Sequence, residues 1–164
     1  MARLGLSVFK TGYNKIRFIG KSGFFPLFEF NDDKITPSES GKTKTLIEKV
    51  NAAAATSHGD VVCVEKGTQL RFDIKSKVRL VDTDEYLIHD AKALYGFVAG
   101  ILASNYDVTD LFVDNTFKIC GGNIAELEAM LESLDALLAK HDVNVFMTAS
   151  FPVEDATDII KKYL

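Results

Sequence analysis

Two pieces of sequence decide how this chain folds: Lys15-Ile16-Arg17-Phe18-Ile19-Gly20-Lys21-Ser22-Gly23 and Ser40-Gly41-Lys42-Thr43-Lys44-Thr45-Leu46-Ile47. The first is a short run of strand formers ending in a glycine-rich turn. The second opens an amphipathic helix over Lys42 to Thr56, with Leu46, Ile47, Val50, Ala53 and Ala54 at helical spacing and His58-Gly59-Asp60 as its stop. Between them, residues 24–39 hold the apolar stretch Phe24-Phe25-Pro26-Leu27-Phe28-Glu29-Phe30 and then a polar segment, a composition that continues neither element. With residues 24–39 set aside, the order is strand, glycine-rich turn, helix.

Outward from this start the chain keeps alternating. Val61 to Val64 is a continuous β-branched run suited to a strand covered on both faces. Lys66-Gly67 turns the chain into Gln69 to Asp73, which reads as a strand extension or an edge hairpin, and Val78 to Val81 is a third apolar run. A helix over Asp90 to Ser104 places Ala91, Leu94, Tyr95, Val98, Ile101 and Leu102 on one face. Leu111-Phe112-Val113-Asp114 follows as a buried strand ending in an acid. Asn123 and Glu126 have capping-box spacing ahead of a helix with Ile124, Leu127, Met130, Leu131, Leu134, Leu137 and Leu138 as its stripe. Val143 to Thr148 is a further strand. Pro152 opens a last helix whose Val153, Ala156, Ile159, Ile160 and Tyr163 face inward. Such alternation calls for right-handed crossovers, hence an α/β three-layer sandwich with a mainly parallel sheet of about five strands, as one domain over residues 1–164. Ligands bind beyond the carboxyl ends of such strands, which points at Glu65, Asp82, Asp114 and Thr148.

Composition narrows the function classes. With 164 residues and 47% hydrophobic content the chain can bury one sizeable core without disulfides or metals. A net charge of −4, with both signs interspersed, gives no clear nucleic-acid surface. Cys63 and Cys120 sit in apolar stretches without ligand spacing, so buried reduced thiols are expected. Neither an export signal nor a run of apolar residues long enough for a bilayer is evident, so a cytoplasmic location without membrane contact is expected.

The split start carries the chemistry. Read contiguously, Thr36-Pro37-Ser38-Glu39-Ser40-Gly41-Lys42-Thr43 is a poor anion site, because Pro removes an N–H donor and Glu places negative charge where a phosphate would sit. Joining Gly23 to Ser40 instead yields Gly20-Lys21-Ser22-Gly23-Ser40-Gly41-Lys42-Thr43, the G-x-x-x-x-G-K-[ST] phosphate loop between its strand and its helix. On these residues the chain resembles P-loop NTPases of the RecA/KaiC-like type, and in particular small bacterial ATP-binding proteins, over Lys15 to Gly23 and Ser40 to Leu164. The resemblance implies ATP and Mg²⁺ as cofactors. Gly20, Gly23, Ser40, Gly41, Lys42 and Thr43 would cradle the phosphates, and Leu111 to Asp114 looks like the Walker B strand, so that Thr43 and Asp114 would serve the Mg²⁺. By the same resemblance Glu65 is similar in place to a water-activating glutamate, and Thr148 and Ser150 to residues that sense the terminal phosphate.

Plainer readings stand beside these. Asp114 before Asn115-Thr116 also suits a turn or cap, Glu65 an exposed hairpin, and Thr148 and Ser150 the start of the last helix. Asp82, Asp84 and Glu85 suit a solvated acidic loop, and His58, His89 and His141 share no spacing and suit helix ends. Residues 24–39 suit an insertion that packs on its own domain, adds an edge strand or meets a partner. Two functions are therefore expected to compete. One is an ATP-binding protein with weakened ATPase activity, because an excursion inside the loop separates N–H groups that must converge on one anion. The other is a non-catalytic scaffold on the same fold that presents a surface to a protein partner or to further copies of itself.

Overall fold

The structure is a computed structural model and describes residues 16–18, 28–29, 41–150 and 157–161; for 16–18, 28–29, 41, 42 and 161 it describes the backbone alone. Gly20, Gly23, Ser40, Pro152, Val153, Ala156, Tyr163 and all of residues 24–39 except Phe28 and Glu29 lie outside the described residues.

Apolar periodicity places the helices where the sequence expects them. Helix α1 runs Gly41–Thr56 and buries Leu46, Val50 and Ala54 at intervals of four. Helix α2, Ala91–Ser104, buries Ala91, Leu94, Val98 and Leu102, and starts where Asp90 Oδ1 accepts the Ala93 N–H at 2.7 Å. Helix α4, Ile124–Leu138, buries Leu127, Met130, Leu131, Leu134 and Leu138, with Asn123 Oδ1 accepting the Glu126 N–H at 3.2 Å. Two single-turn helices, α3 (Thr116–Ile119) and α5 (Asp158–Lys161), complete the described set.

Strands β1 (Ile16–Phe18), β3 (Asp60–Glu65), β4 (Arg79–Asp82), β5 (Val108–Val113) and β6 (Asn144–Met147) pair in the order β1-β6-β5-β3-β4, every pair parallel. The protein is thus α/β with a parallel sheet and crossover helices, compatible with a three-layer sandwich. From β1 to β3 the chain moves one way across the sheet, whereas β4 to β5 and β5 to β6 move the other way. Right-handed crossovers put α1 on one face and α2 with α4 on the opposite one. That assignment agrees with the packing, since α2 lies against α4 and α1 against β3 and β5. The central strands are buried on both faces over Val61 to Val64 and Leu111 to Val113, which is why these stretches of β3 and β5 read as unbroken apolar runs.

One local expectation fails. No hairpin follows β3, because β3 and β4 are parallel and a tight turn cannot join parallel strands. Residues 66–78 instead form successive turns, and Asn51 of α1 ties them down, its Nδ2 donating to the Asp73 carbonyl at 2.7 Å and its Oδ1 accepting the Lys75 N–H at 2.9 Å.

A second, two-stranded sheet is formed by β2 (Phe28–Glu29) and β7 (Ala149–Ser150), parallel, with Phe28 opposite Ala149 and Glu29 opposite Ser150. Of the readings for residues 24–39, added edge pairing is therefore realised at these two positions. Both thiols are free and buried, as expected. Among the described residues no helix is long and apolar enough to cross a membrane.

Candidate functional site

Register assembles the site. Val64 is level with Val113, and Val113 with Met147, so the next residues, Glu65, Asp114 and Thr148, fall in one row across the carboxyl ends of β3, β5 and β6. Asp82 extends the row on β4, opposite Glu65. Neighbours in such a row are about 4.8 Å apart and share a face of the sheet. The ladder continues through it: the Asp114 N–H donates to the Val64 carbonyl at 2.8 Å and the Thr148 N–H to the Val113 carbonyl at 2.9 Å.

The face follows from alternation. Val62, Arg79 and Val81 line a groove together with Phe97 and Ile101 of α2, so they look toward α2. Cys63, Glu65, Leu80 and Asp82 alternate with them and look toward the α1 side. Thr56 ends α1 just before β3 begins at Asp60, so the helix runs back against the strand direction. Its 16 residues span about 24 Å, against about 20 Å for the six of β3. The N-terminal turn of α1, Gly41-Lys42-Thr43, therefore sits at the same end and on the same face of the sheet as the acid row.

Within the row the groups are buried and bonded. Asp114 is 5% exposed and Thr148 2%. Thr148 Oγ1 donates to Asp114 Oδ1 at 2.5 Å and accepts the Asn115 N–H at 2.8 Å, while Asn115 Nδ2 donates to Asp114 Oδ2 at 3.0 Å. Asn115 can close this loop because its φ of 55° lies in the left-handed region, where Asn is among the few tolerated side chains. The Thr116 N–H then donates to the Thr148 carbonyl at 2.7 Å and starts α3. Thr148 does not start a helix: it clamps the acid-bearing strand end to its neighbour. Sequence reasoning missed α3 and this clamp, although Asp114-Asn115-Thr116 held the signal for a left-handed turn.

Glu65 is 2% exposed, not an exposed hairpin residue. Its Oε2 accepts the Leu70 N–H at 3.0 Å, so the carboxylate closes the first turn after β3. Burial pushes its carboxyl above the usual range, backbone N–H groups of Leu70 and Gln69 oppose that, and the charges of Asp114 and Asp82 reinforce it. The thiol of Cys63 is likewise pushed up, by burial first and then by Asp114 and Glu65. Asp82 Oδ1 accepts the N–H groups of Gly67 and Asp84 at 2.8 and 2.9 Å, and Asp84 pairs with Lys66 Nζ at 2.7 Å. The acidic loop is thus partly structural. His58, His89 and His141 flank α1, α2 and α4, at helix ends as expected.

Thr43 is half-buried on the first turn of α1, and for Lys42 the helical backbone is described. Among the described residues no group of three or more His, Cys, Asp or Glu side chains could hold a metal ion by itself. The row carries hard oxygen groups, the carboxylates of Glu65, Asp82 and Asp114 and the hydroxyl of Thr148, with the Thr43 hydroxyl on the first turn of α1. No protein-family model matches the chain, and no curated protein sequence matches it.

Proposed function

We propose that this protein is a P-loop nucleotide-binding protein of the RecA/KaiC-like type, which takes ATP with Mg²⁺ at the carboxyl end of its sheet through a site that residues 24–39 weaken. The observation that carries the reading is the register row Glu65–Asp114–Thr148 beside the first turn of α1. A strand bearing a buried carboxylate, β5, is separated from β1 by β6, whose terminal hydroxyl bonds that carboxylate. Helix α1 begins at Gly41, within Ser40-Gly41-Lys42-Thr43, so its N-terminal N–H groups and dipole favour an anion there.

In this reading Gly20, Gly23, Ser40 and Gly41 supply backbone donors, Lys42 neutralises phosphate charge, and Thr43 with Asp114 holds the cation's water shell. The Mg²⁺ would supply charge neutralisation at the β- and γ-phosphates. Thr148 and Asn115 fix the orientation of the Asp114 carboxylate, one on each oxygen, and Glu65 is held by the Leu70 N–H at the end of the neighbouring strand. A carboxylate whose Oε2 is committed to the Leu70 N–H has less freedom to orient a water, so binding with slow turnover is the activity assigned.

Support for weakening comes from β2. Thr148 directs both its N–H and its carbonyl to the β5 side, so Ala149 directs its own to the side on which β1 pairs. Phe28 is level with Ala149 and Glu29 with Ser150, so residues 28–29 pair with the strand extension immediately beyond the row. The same observation favours a second reading, a non-catalytic scaffold on a degenerate P-loop fold that presents a surface to a partner protein.

Isothermal titration with ATP·Mg²⁺ tests both. Deletion of residues 24–39 is expected to tighten binding, and Lys42→Ala in that background to abolish it. Absence of binding in the intact chain and in a folded deletion variant alike would refute the nucleotide site and leave the scaffold.

A further inference from the structure

A cavity of about 490 Å³ lies away from the acid row, on the opposite face of the sheet between β4 and α2. Its origin is architectural. Helix α2 packs against α4, toward the middle of the sheet, and the outermost strand β4 extends past that helical layer. The gap has an apolar floor, in which Val62 and Val81 of the sheet meet Ile101 of α2. Tyr86, 48% exposed, and the half-buried Phe97 form one wall, with ring centroids 6.0 Å apart and planes tilted by 30°. Arg79, which shares the face of Val81, and Lys77, on the turn just before β4, supply two exposed cations to the rim.

One acid, Asp60, also lines the cavity, and its Oδ2 already accepts the Asn105 Nδ2 hydrogen at 2.8 Å. The local balance is therefore positive in a chain whose net charge is −4. No cation in the acid row shares this arrangement, and nothing assigned above to ATP uses any of these side chains.

We propose that this groove binds a small planar aromatic anion, its ring against Tyr86, Phe97 and the valine floor and its anionic group between Lys77 and Arg79. The chemistry is specific in both halves. Aromatic walls favour a flat ring through offset or edge contacts, and an arginine fork binds a carboxylate, sulfonate or phosphate by paired hydrogen bonds. The volume falls within the range of small-molecule sites and admits a bicyclic ring with one anionic group. A neutral ring would use the walls alone, and an aliphatic anion the rim alone.

Titration of the full chain with 2-naphthalenesulfonate, with neutral 2-naphthol and aliphatic hexanesulfonate as comparisons, tests the proposal. The aromatic anion is expected to saturate at one per chain, with each comparison compound at least about tenfold weaker. The double variant Lys77→Glu/Arg79→Glu is expected to lose binding, and Tyr86→Ala to weaken it. Arg71→Glu, an exposed charge outside the groove, should leave it unchanged. Lys77→Gln/Arg79→Gln serves where charge reversal disturbs folding. Failure to saturate, equal binding of the three compounds, or binding unaffected by the paired substitutions would overturn the assignment. The readout does not involve ATP, so its failure leaves the nucleotide reading untouched.

Discussion

Replacing Thr148 with Val removes one oxygen from the end of the acid row, beside Asp114, while keeping the side-chain volume nearly unchanged. Two bonds disappear: the 2.5 Å donation to Asp114 Oδ1 and the 2.8 Å bond from the Asn115 N–H. A hydrogen bond to a charged group contributes about 1.5–3 kcal/mol, and a backbone N–H left without its partner costs about 1 kcal/mol or more. Asp114 is 5% exposed, so water does little to replace the lost donor. Thr148→Val should therefore lower stability by about 3 kcal/mol, whereas Thr148→Ser, which keeps the hydroxyl and loses a buried methyl group, should cost about 1 kcal/mol. Urea unfolding at pH 7 reads both, and a midpoint shift at constant slope identifies a change in native-state stability. Combining Thr148→Val with Asp114→Ala should be less destabilising than the sum of the two, because they share one interaction. A Thr148→Val protein within about 0.5 kcal/mol of the parent, or a Thr148→Ser protein equally damaged, would refute the clamp, because surface-like changes fall in that range.

Other positions give outcomes of known sign. Gly96 and Gly100 lie on the exposed side of α2 with open space where a Cβ would go, so Gly96→Ala and Gly100→Ala should each raise stability by about 0.5–1 kcal/mol in the same urea assay. Gly59 is different: a Cβ there would stand 2.1 Å from the Asp107 carbonyl oxygen, which also holds the Asp60 N–H. Gly59→Ala should destabilise by about 2 kcal/mol, read as a lower midpoint in urea. Glu65 has a folded-state carboxyl raised above its ordinary 4.5, so the folded chain binds its proton more tightly than the unfolded chain does. The stability it contributes is present below that value and is lost as pH rises through the folded pKa. Glu65→Gln, able to keep the acceptor for Leu70, should remove this loss and flatten the fall in stability between acid and neutral pH.

How much of this was legible depended on whether the information was local. Leu46, Val50 and Ala54 in α1, or Leu127, Leu131 and Leu138 in α4, announce themselves by a 3.6-residue period, and the structure buries all six. The unbroken runs Val61 to Val64 in β3 and Leu111 to Val113 in β5 announce burial on both faces in the same way. Whether Lys66-Gly67 began a hairpin could not be read locally, because the answer depended on β4 lying parallel to β3. The fate of Glu65 followed from that: a hairpin would have left it in water, whereas a parallel crossover put it under the turn it closes. Asp114 and Thr148 were each found from strand ends, yet their bond spans 34 positions in sequence and rests on the register of β5 with β6.

The same distinction bears on residues 24–39. An excursion of this length inside a loop adds only a slowly growing closure entropy, so the strands and helices on either side can form as they would without it. A phosphate loop is less forgiving, because its donors act only when consecutive N–H groups converge on one anion. Pairing of Phe28 and Glu29 with Ala149 and Ser150 brings the excursion back to the sheet one residue past Thr148. Any constraint the pairing exerts therefore falls on the ligand end of β6, while the core below it, where Phe112 stacks on Phe146 with centroids 4.9 Å apart, stays two residues away in register. On the proposed nucleotide reading, fold and site are separable, and a deletion of residues 24–39 is expected to change nucleotide affinity far more than it changes the unfolding of the central sheet.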